Sequence, residues 1–525
     1  MYLPAHWNRV CPRFLLDRLF CLRGFINQVL GIRITFKYQG LMRKYILLLL
    51  SLTISLCSMA QTDLKADYEA YKRQRTQEYK DFKDKINADF AEYLKKRWDD
   101  CNADKAVPAP IPDVSPKPEV AEERPQEVPQ SLPEPKNTVT VVKDIVSQTT
   151  PATATPSSKT LAVDFFGDML NVPVNVNELP VIGPLNEQNY ASAWSKYGNV
   201  TQPAVKYIEQ YVTSHHLNGW GSYQLVKRIS EQAYKSSNSN ERIALQSYLL
   251  SQLKYRAQVA ICGNDLVLLL PFKETIYEVS YITLDSQRYY IYSYGHNNSA
   301  GFRTYNKNVE YAENLLSVAL DGTMKIGNIV SMEFERLGAM LGQRLQAPMY
   351  MGNIALLYGY PLLDNITYYK QGLNREFATA ILTPLREKIR GKSETEAVAY
   401  LLNFVQNGFN YVDDMAVFGH QKQLFVEESF FYGQNNCKDR VGVFSWLVKE
   451  LVGLDVIALR YEGNSASNGI GHITCAIAFN GNVAGDAITY QSRHYVICDP
   501  TYINAGIGQS MPCYKGSKAT ILSLR

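Results

Sequence analysis

Three side chains near the C-terminus could together break an amide bond. Cys437 stands in the run from Gln434 to Arg440, His472 opens an apolar run, and Asp499 closes the next one. A thiol, an imidazole and a carboxylate can act as a nucleophile, a base and the group that orients the base. The base holds the thiol as a thiolate, and the carboxylate stabilises the imidazolium. These residues therefore predict catalysis by a cysteine nucleophile.

The surrounding pattern predicts the elements that position these residues. Apolar residues at 441, 443, 444, 447, 448 and 451 predict a buried helix, capped by Asn435 or Asn436 and ended by Gly453. Cys437 would lie in the first turn of this helix, where the helix dipole and free N–H groups favour the thiolate. Two predicted strands, 472–479 and 493–501, carry His472 and Asp499.

The same stretch resembles a known family. Cys-Lys-Asp-Arg at a helix start, Gly-His before a strand and Cys-Asp-Pro-Thr-Tyr after one are similar to the transglutaminase-like superfamily of papain-like cysteine enzymes, closest to its secreted bacterial branch. The resemblance covers about residues 380–515. It implies an α+β fold in which the cysteine helix packs on an antiparallel sheet. It also implies that Cys437 is the nucleophile, His472 the general base and acid, and Asp499 the orienter.

Two features depart from the family pattern. The step of 27 residues from His472 to Asp499 is longer than the usual compact hairpin, and the excess fits a loop around 481–485. A glycine- and serine-rich run at 463–469 precedes the histidine and is interpreted as a lid or rim.

The tetrahedral intermediate of such a reaction needs an oxyanion hole. One donor is expected to be the backbone N–H of Cys437. The candidates for a side-chain donor are Tyr411, Tyr432 and Gln434. For each of them, structural packing or a loop hydrogen bond is an open alternative.

An internal repeat is visible upstream. Residues 238–253 align with 436–451, Asp265–Phe272 with His472–Phe479, and 288–291 with 493–496, so the order helix, strand, strand, strand occurs twice. The first copy carries Ser239, Asp265 and Tyr294 at the triad positions. A serine without a base is not activated. We therefore expect a degenerate, non-catalytic module at 160–300, a bridging region at 301–379 and a catalytic module at 380–525, with chance similarity of amphipathic helices as the alternative.

The N-terminal region resembles an export signal. Arg43 and Lys44 precede a 12-residue apolar run ending at Leu56, and small residues precede Gln61. This pattern predicts a signal peptide at 42–60, with 1–41 as a mis-annotated upstream extension. An uncleaved membrane anchor is the alternative. The mature chain is expected in the periplasm or at the cell surface.

A tether is predicted between this signal and the globular part. Residues 62–101 predict an amphipathic helix with an aromatic stripe, which would self-associate as a coiled coil, bind an envelope partner or pack on the chain's own body. Residues 102–159, rich in proline, predict an extended linker, interpreted as a passive spacer.

Charge and cysteine spacing exclude several classes. The 54 basic and 50 acidic side chains give a net charge of +4, too even for a nucleic-acid binder. The nine cysteines include no Cys-x-x-Cys pair, so no metal site is expected, and no cofactor either. Pairing His472 opposite Asp499 would make Cys475 and Cys498 a diagonal pair. We therefore expect both of these cysteines to be reduced.

These observations predict an exported cysteine enzyme that acts on peptide or protein amides through an acyl-enzyme. Water is favoured over an amine as the acceptor because it is the simpler one. The alternative is a non-catalytic envelope or surface binding module that retains the fold.

Overall fold

The computed structural model describes residues 39–110, 119–121, 132–134, 136, 138–147, 159–235, 239–294 and 301–524, with side chains from Ala66 onward. Most of the predicted upstream extension and parts of the predicted linker lie outside these ranges. The chain divides between Lys83 and Asp84 into two compact units.

The first helix, α1 (Gln39–Leu94), covers the predicted signal peptide and most of the predicted amphipathic helix. In the first unit, four aromatic residues of the predicted stripe are exposed: Tyr68, Tyr71, Tyr79 and Phe82. In the second unit, three residues of the same helix are buried: Ile86, Phe90 and Leu94.

The helix predicted to reach residue 101 ends at Leu94 instead. The indole of Trp98 turns back and donates from Nε1 to the Leu94 carbonyl oxygen over 3.1 Å. Asp99 and Asp100 would lie unfavourably at the negative end of a longer helix. They lie instead in strand β1 (Asp99–Cys101), which pairs with a strand formed two hundred residues later.

Parts of the predicted spacer contact the body of the protein. Helix α2 (Thr138–Ser147) buries Val139 and Val142, and Lys136 forms a 2.8 Å ion pair with Glu335. Residues 119–121 pair with Ile503 through two backbone hydrogen bonds of 2.9 Å. The prediction of a passive spacer is therefore wrong for these segments.

The next elements build a first layer. A hairpin is followed by four helices, of which the fourth begins at Ser239 and buries its apolar residues. The elements are β2 (Leu161–Phe165), β3 (Asp168–Val172), α3 (Glu187–Val200), α4 (Gln202–Ser214), α5 (Gly219–Ala233) and α6 (Ser239–Gln252).

A first antiparallel sheet packs against α6. Its strands are rich in β-branched and aromatic residues, which favour pleated, buried positions. They are β4 (Gln258–Cys262), β5 (Asp265–Pro271), β6 (Tyr281–Leu284), β7 (Gln287–Tyr292) and β8 (Phe302–Thr304). With β1 at its edge, the sheet has the order β1-β8-β4-β5-β7-β6.

The predicted bridging region completes this sheet with β8 and then forms a small hairpin and short helices. Two longer helices follow, the second opened by a capping box at Ser393. The elements are β9 (Ile329–Glu333), α7 (Glu335–Leu341), β10 (Gln346–Tyr350), α8 (Met351–Tyr358), α9 (Asn365–Tyr369), α10 (Arg375–Ile389) and α11 (Glu394–Gly408).

The C-terminal part contains the cysteine helix and a second antiparallel sheet. The short elements before the helix are β11 (Asn410–Tyr411), α12 (Asp414–Val417), α13 (Val426–Tyr432) and β12 (Gln434–Asn435). The helix and sheet are α14 (Cys437–Leu451), β13 (Asp455–Tyr461), β14 (His472–Ala478), β15 (Ala487–Tyr490), β16 (Arg493–Cys498) and β17 (Ala519–Ser523).

The two sheets share one topology. The second has the order β17-β13-β14-β16-β15, and five strands of the first have the order β8-β4-β5-β7-β6, with every neighbouring pair antiparallel. A helix precedes each sheet and packs on its central strand, α6 on β5 and α14 on β14. The described chain is thus an α+β structure in which one helix–sheet arrangement occurs twice.

Candidate active site

The start of α14 is fixed by its own first turn. The Asn436 backbone N–H donates to Asp439 Oδ2 over 3.0 Å, and Oδ1 of the same carboxylate accepts from the Leu424 backbone N–H at 2.8 Å. Asn436 is the N-cap, so Cys437 is the first helical residue, as the sequence predicts. At the other end the Gly453 N–H bonds to the Val448 carbonyl, and the positive φ of this glycine ends the helix.

His472 and Asp499 are brought together across two strands. His472 is the first residue of β14, and Asp499 follows the last residue of β16. Nε2 of the imidazole lies 2.8 Å from Asp499 Oδ2. The other carboxylate oxygen accepts from the backbone N–H groups of Thr501 (2.8 Å) and Tyr502 (3.2 Å). The carboxylate is thereby held in place, and Nδ1 is the ring nitrogen left for the thiol.

The electrostatics join Cys437 to this pair. Burial lowers the pKa of His472, but the charge and hydrogen bond of Asp499, with a smaller contribution from Cys437, raise this pKa to about 10. A protonated imidazole is therefore stable between the carboxylate and the cysteine. The arrangement can hold a thiolate–imidazolium pair, the reactive form of a cysteine nucleophile.

The triad is enclosed. Cys437 is 4% exposed, and His472 and Asp499 are each 1% exposed. The Tyr514 ring stacks on the imidazole with centroids 5.0 Å apart, and its hydroxyl donates to the Ile470 carbonyl over 2.8 Å. Ile470 directly follows the glycine- and serine-rich run 463–469, which the sequence predicts as a lid or rim. Tyr514 and the segment that it contacts therefore form a cover over the imidazole.

Two charged residues of the cysteine motif, Lys438 and Arg440, make buried hydrogen bonds around the start of the helix. Lys438 bonds to Asp414 (2.5 Å), which also accepts from the Asn436 side chain (2.8 Å). Arg440 donates from Nε to Asn435 Oδ1 (3.0 Å) and from its terminal nitrogens to the carbonyl oxygens of Phe409 (2.7 Å), Gln406 (3.2 Å) and Pro500 (3.3 Å). Burial lowers the pKa of Arg440 to about 10. The guanidinium positions the strand end that carries Asp499.

Sequence reasoning missed Gln406 in this support. Its Nε2 bonds to three carbonyl oxygens in the loop after β16, those of Asp499 (2.9 Å), Tyr502 (2.8 Å) and Ala505 (3.1 Å). One signal in the sequence could have indicated this role: Gln406 directly follows the apolar run Leu401–Val405 of a predicted helix. A glutamine buried beside such a run needs hydrogen-bond partners.

The predicted oxyanion donors lie in different places. The Arg440 guanidinium lies over the Tyr411 ring, 5.3 Å from the centroid of that ring. Tyr411 also pairs with Asn435 between strands β11 and β12. Gln434 is half-buried at the start of β12. Tyr432 packs its ring on Phe418, and its burial raises the pKa of the phenol, with the charge of Glu428 adding to the shift. Its packing and electrostatic neighbours therefore belong to the core behind the helix.

In the first copy, Ser239 and Asp265 occupy the predicted positions as the first residues of α6 and β5. Tyr294 does not. Leu268 pairs with Tyr292 as Cys475 pairs with Cys498, so the counterpart of Asp499 is Ser293. The sequence alignment was wrong by one residue because β7 begins at Gln287 and not at Arg288. Asp265 and Ser293 are exposed.

The predicted register of the second sheet is also wrong. Cys475 lies directly opposite Cys498, where a diagonal pair was expected. A two-residue turn, Gln491 and Ser492 in left-handed conformation, joins β15 to β16. A shift of two residues leaves every side chain on its predicted face. His472 and Asp499 therefore still meet, but as diagonal neighbours, and both cysteines are free thiols.

The fold and site thus define an α+β protein with a buried Cys-His-Asp constellation. No family model matches this chain, and a comparison with curated proteins finds no significant match. In the part of the chain that the structure describes, no helix is both long and apolar enough to span a membrane.

Proposed function

We propose that this chain is an exported cysteine enzyme of transglutaminase-like type that acts on amide or peptide bonds through an acyl-enzyme. One observation carries the proposal: His472 Nε2 lies 2.8 Å from Asp499, and Cys437, the first residue of a helix, contributes to the raised pKa of this imidazole. Geometry of this kind activates a thiol whatever fold presents it.

In the proposed reaction the Cys437 thiol gives its proton to His472 Nδ1, and the sulfur attacks the substrate carbonyl carbon. The carbonyl π electrons move to oxygen. When they return, the C–N bond breaks and the imidazolium protonates the departing amine. Asp499 keeps the imidazole oriented in both steps, since two backbone N–H groups hold its other oxygen.

The acyl group then passes to an acceptor. Water would make the protein a peptidase or amidase, and a primary amine would make it a transglutaminase. We favour hydrolysis because water needs no second binding surface, whereas an amine must be oriented beside the thioester.

The shared topology of the two sheets supports a duplicated transglutaminase-like module of which the first copy, at about 160–300, is degenerate. Its counterparts of the triad are Ser239, Asp265 and Ser293, a set without an imidazole. An aspartate cannot replace a histidine as the base for a serine hydroxyl in this chemistry. The first copy would then contribute binding surface or stability.

The pattern at 42–60 supports export to the periplasm or the cell surface, where protein or peptide amides would be the substrates. The aromatic residues that α1 exposes in the first unit support self-association or an envelope partner. The nearly equal numbers of basic and acidic side chains argue against nucleic acid as a partner.

A non-catalytic binding module is the second candidate. It is favoured by the low exposure of the triad, 4% at Cys437 and 1% at His472. Under this alternative the cysteine and histidine would be retained core residues, and the cover over them would not open.

A peptide library incubated with the purified protein, with and without a labelled primary amine, separates the two candidates by mass spectrometry. The enzyme proposal expects new peptide termini, or the amine joined to acyl groups, and loss of both in Cys437→Ala. Cys101→Ala, which removes a half-buried thiol from the first sheet, is the matched control and should keep activity. Identical peptide patterns for wild type and Cys437→Ala would favour the binding module.

A further inference from the structure

A buried amide donor next to the nucleophile has no partner among the described residues. Asn435 is fully buried, and its Nδ2 makes no hydrogen bond. Leaving an amide N–H₂ buried and unpaired destabilises a protein. Such a group at a reaction centre is best explained by an acceptor that is present only during the reaction.

The orientation of this amide is fixed by its other end. Asn435 Oδ1 accepts from Arg440 Nε over 3.0 Å, and the guanidinium is itself held by three backbone carbonyl groups. The amide therefore cannot rotate without losing a charge-assisted bond. Nδ2 is a pre-oriented donor, which is the property that an oxyanion hole needs.

The placement relative to Cys437 is also suitable. Asn435 ends β12 two residues before Cys437, and Asn436 between them is in extended conformation. The Asn436 side chain is turned towards Asp414. The Arg440 side chain that holds Asn435 also bonds to Pro500, the neighbour of Asp499, so Asn435 lies on the triad side of the helix start.

We propose that Asn435 supplies the side-chain donor of the oxyanion hole. This inference rests on the proposed function. When the sulfur–carbon bond forms, the π electrons of the substrate carbonyl move to its oxygen, and Nδ2–H donates to that oxyanion beside the backbone N–H of Cys437. When the C–N bond breaks, the electrons return and the hydrogen bond weakens. We prefer Asn435 to Tyr411, Tyr432 and Gln434 because Arg440 holds its amide in orientation.

Two reagents that consume the same thiolate test this role. Iodoacetamide alkylates sulfur with loss of iodide and forms no oxyanion, whereas p-nitrophenyl acetate acylates sulfur through a tetrahedral oxyanion and releases p-nitrophenolate. The ratio of the two rate constants does not depend on how much thiolate is present. Asn435→Ala should lower the acylation-to-alkylation ratio by about 10²-fold.

A buried asparagine outside the site provides the matched control. Asn353 is 6% exposed and makes two hydrogen bonds, to the backbone of Ile326 and Met324. Asn353→Ala should destabilise the protein without changing the ratio. Asn435→Asp keeps an oxygen for Arg440 but removes the N–H donor, so its ratio should fall like that of Asn435→Ala.

The outcomes are distinguishable. An unchanged ratio in Asn435→Ala, with normal alkylation, overturns the assignment while the proposed function stands. A ratio that falls only in Tyr411→Phe assigns the donor to that phenol instead. If wild-type Cys437 reacts with neither reagent, the proposed function fails, and this inference fails with it.

Discussion

Arg440 donates a hydrogen bond to the Pro500 carbonyl oxygen over 3.3 Å, and so joins the first turn of the cysteine helix to the residue after Asp499. The two bonded residues are 60 positions apart in sequence. One buried guanidinium therefore ties the start of the cysteine helix to the strand end that carries Asp499, in addition to the direct contact of Asp499 with His472.

Replacing this guanidinium should destabilise the protein. Arg440→Gln leaves four acceptors without a charged donor in the core. We expect the free energy of unfolding in urea to fall by about 3 kcal/mol or more. Arg390→Gln is the control, since Arg390 is an exposed residue paired with Glu387, and exposed pairs contribute about 0–1 kcal/mol. If the free energy of unfolding fell equally in the two variants, the hydrogen bonds of Arg440 would not stabilise the fold more than an exposed ion pair does.

The pH dependence of Cys437 alkylation should differ from that of an ordinary thiol. Because the pKa of His472 is raised to about 10, the imidazolium persists above neutral pH and can hold the thiolate. We expect a nearly flat iodoacetamide rate between about pH 6.5 and 9, where a free thiol with a pKa of about 8.5 would show a steep rise. In His472→Ala the steep rise should return. A wild-type profile that follows the free-thiol curve would contradict the ion pair.

Stability should depend on pH through the same histidine. Its folded-state pKa, about 10, lies above its ordinary value near 6.5, so the contribution is fully present below about pH 6.5 and is lost as pH rises through 10. Asp499→Asn removes the charge that holds this proton. The difference in unfolding free energy between wild type and Asp499→Asn should therefore be largest near pH 6 and shrink towards pH 10. A difference that grows with pH would refute this assignment of charge.

A thiol placed in the first copy tests whether a helix start alone is enough. Ser239→Cys, made in a Cys437→Ala background, puts a cysteine at the first residue of α6 without a nearby imidazole. We expect slow alkylation with the pH profile of a free thiol. Fast, pH-independent alkylation there would show that the helix N-terminus, and not His472, activates the nucleophile.

Much of the site could be predicted because its signals are local. The apolar spacing after Cys437 determines a helix, and the order of the two later apolar runs places His472 and Asp499 at strand ends. The supporting contacts of Gln406 and Arg440 could not be predicted, since their partners are backbone carbonyl groups of distant loops. Backbone acceptors look alike at every residue.

The register errors have a different cause. The predicted register assumed that His472 lies opposite Asp499, whereas β16 ends at Cys498 and pairs this residue with Cys475. This two-residue shift makes Cys475 and Cys498 direct partners. The predicted end of α1 failed for a related reason, because pairing of Asp99–Cys101 with β8 depends on a strand two hundred residues away.

The most direct test of the account is whether Cys437 forms an acyl-enzyme that depends on His472. Purified wild type, His472→Ala and Asp499→Ala would be treated with p-nitrophenyl acetate, quenched in acid and analysed by intact-mass spectrometry with peptide mapping. The account predicts one acetyl group on Cys437 in wild type, a much lower rate in Asp499→Ala, and the lowest rate in His472→Ala. Acetylation of another residue in wild type, or equal acetylation of Cys437 without His472, would contradict it.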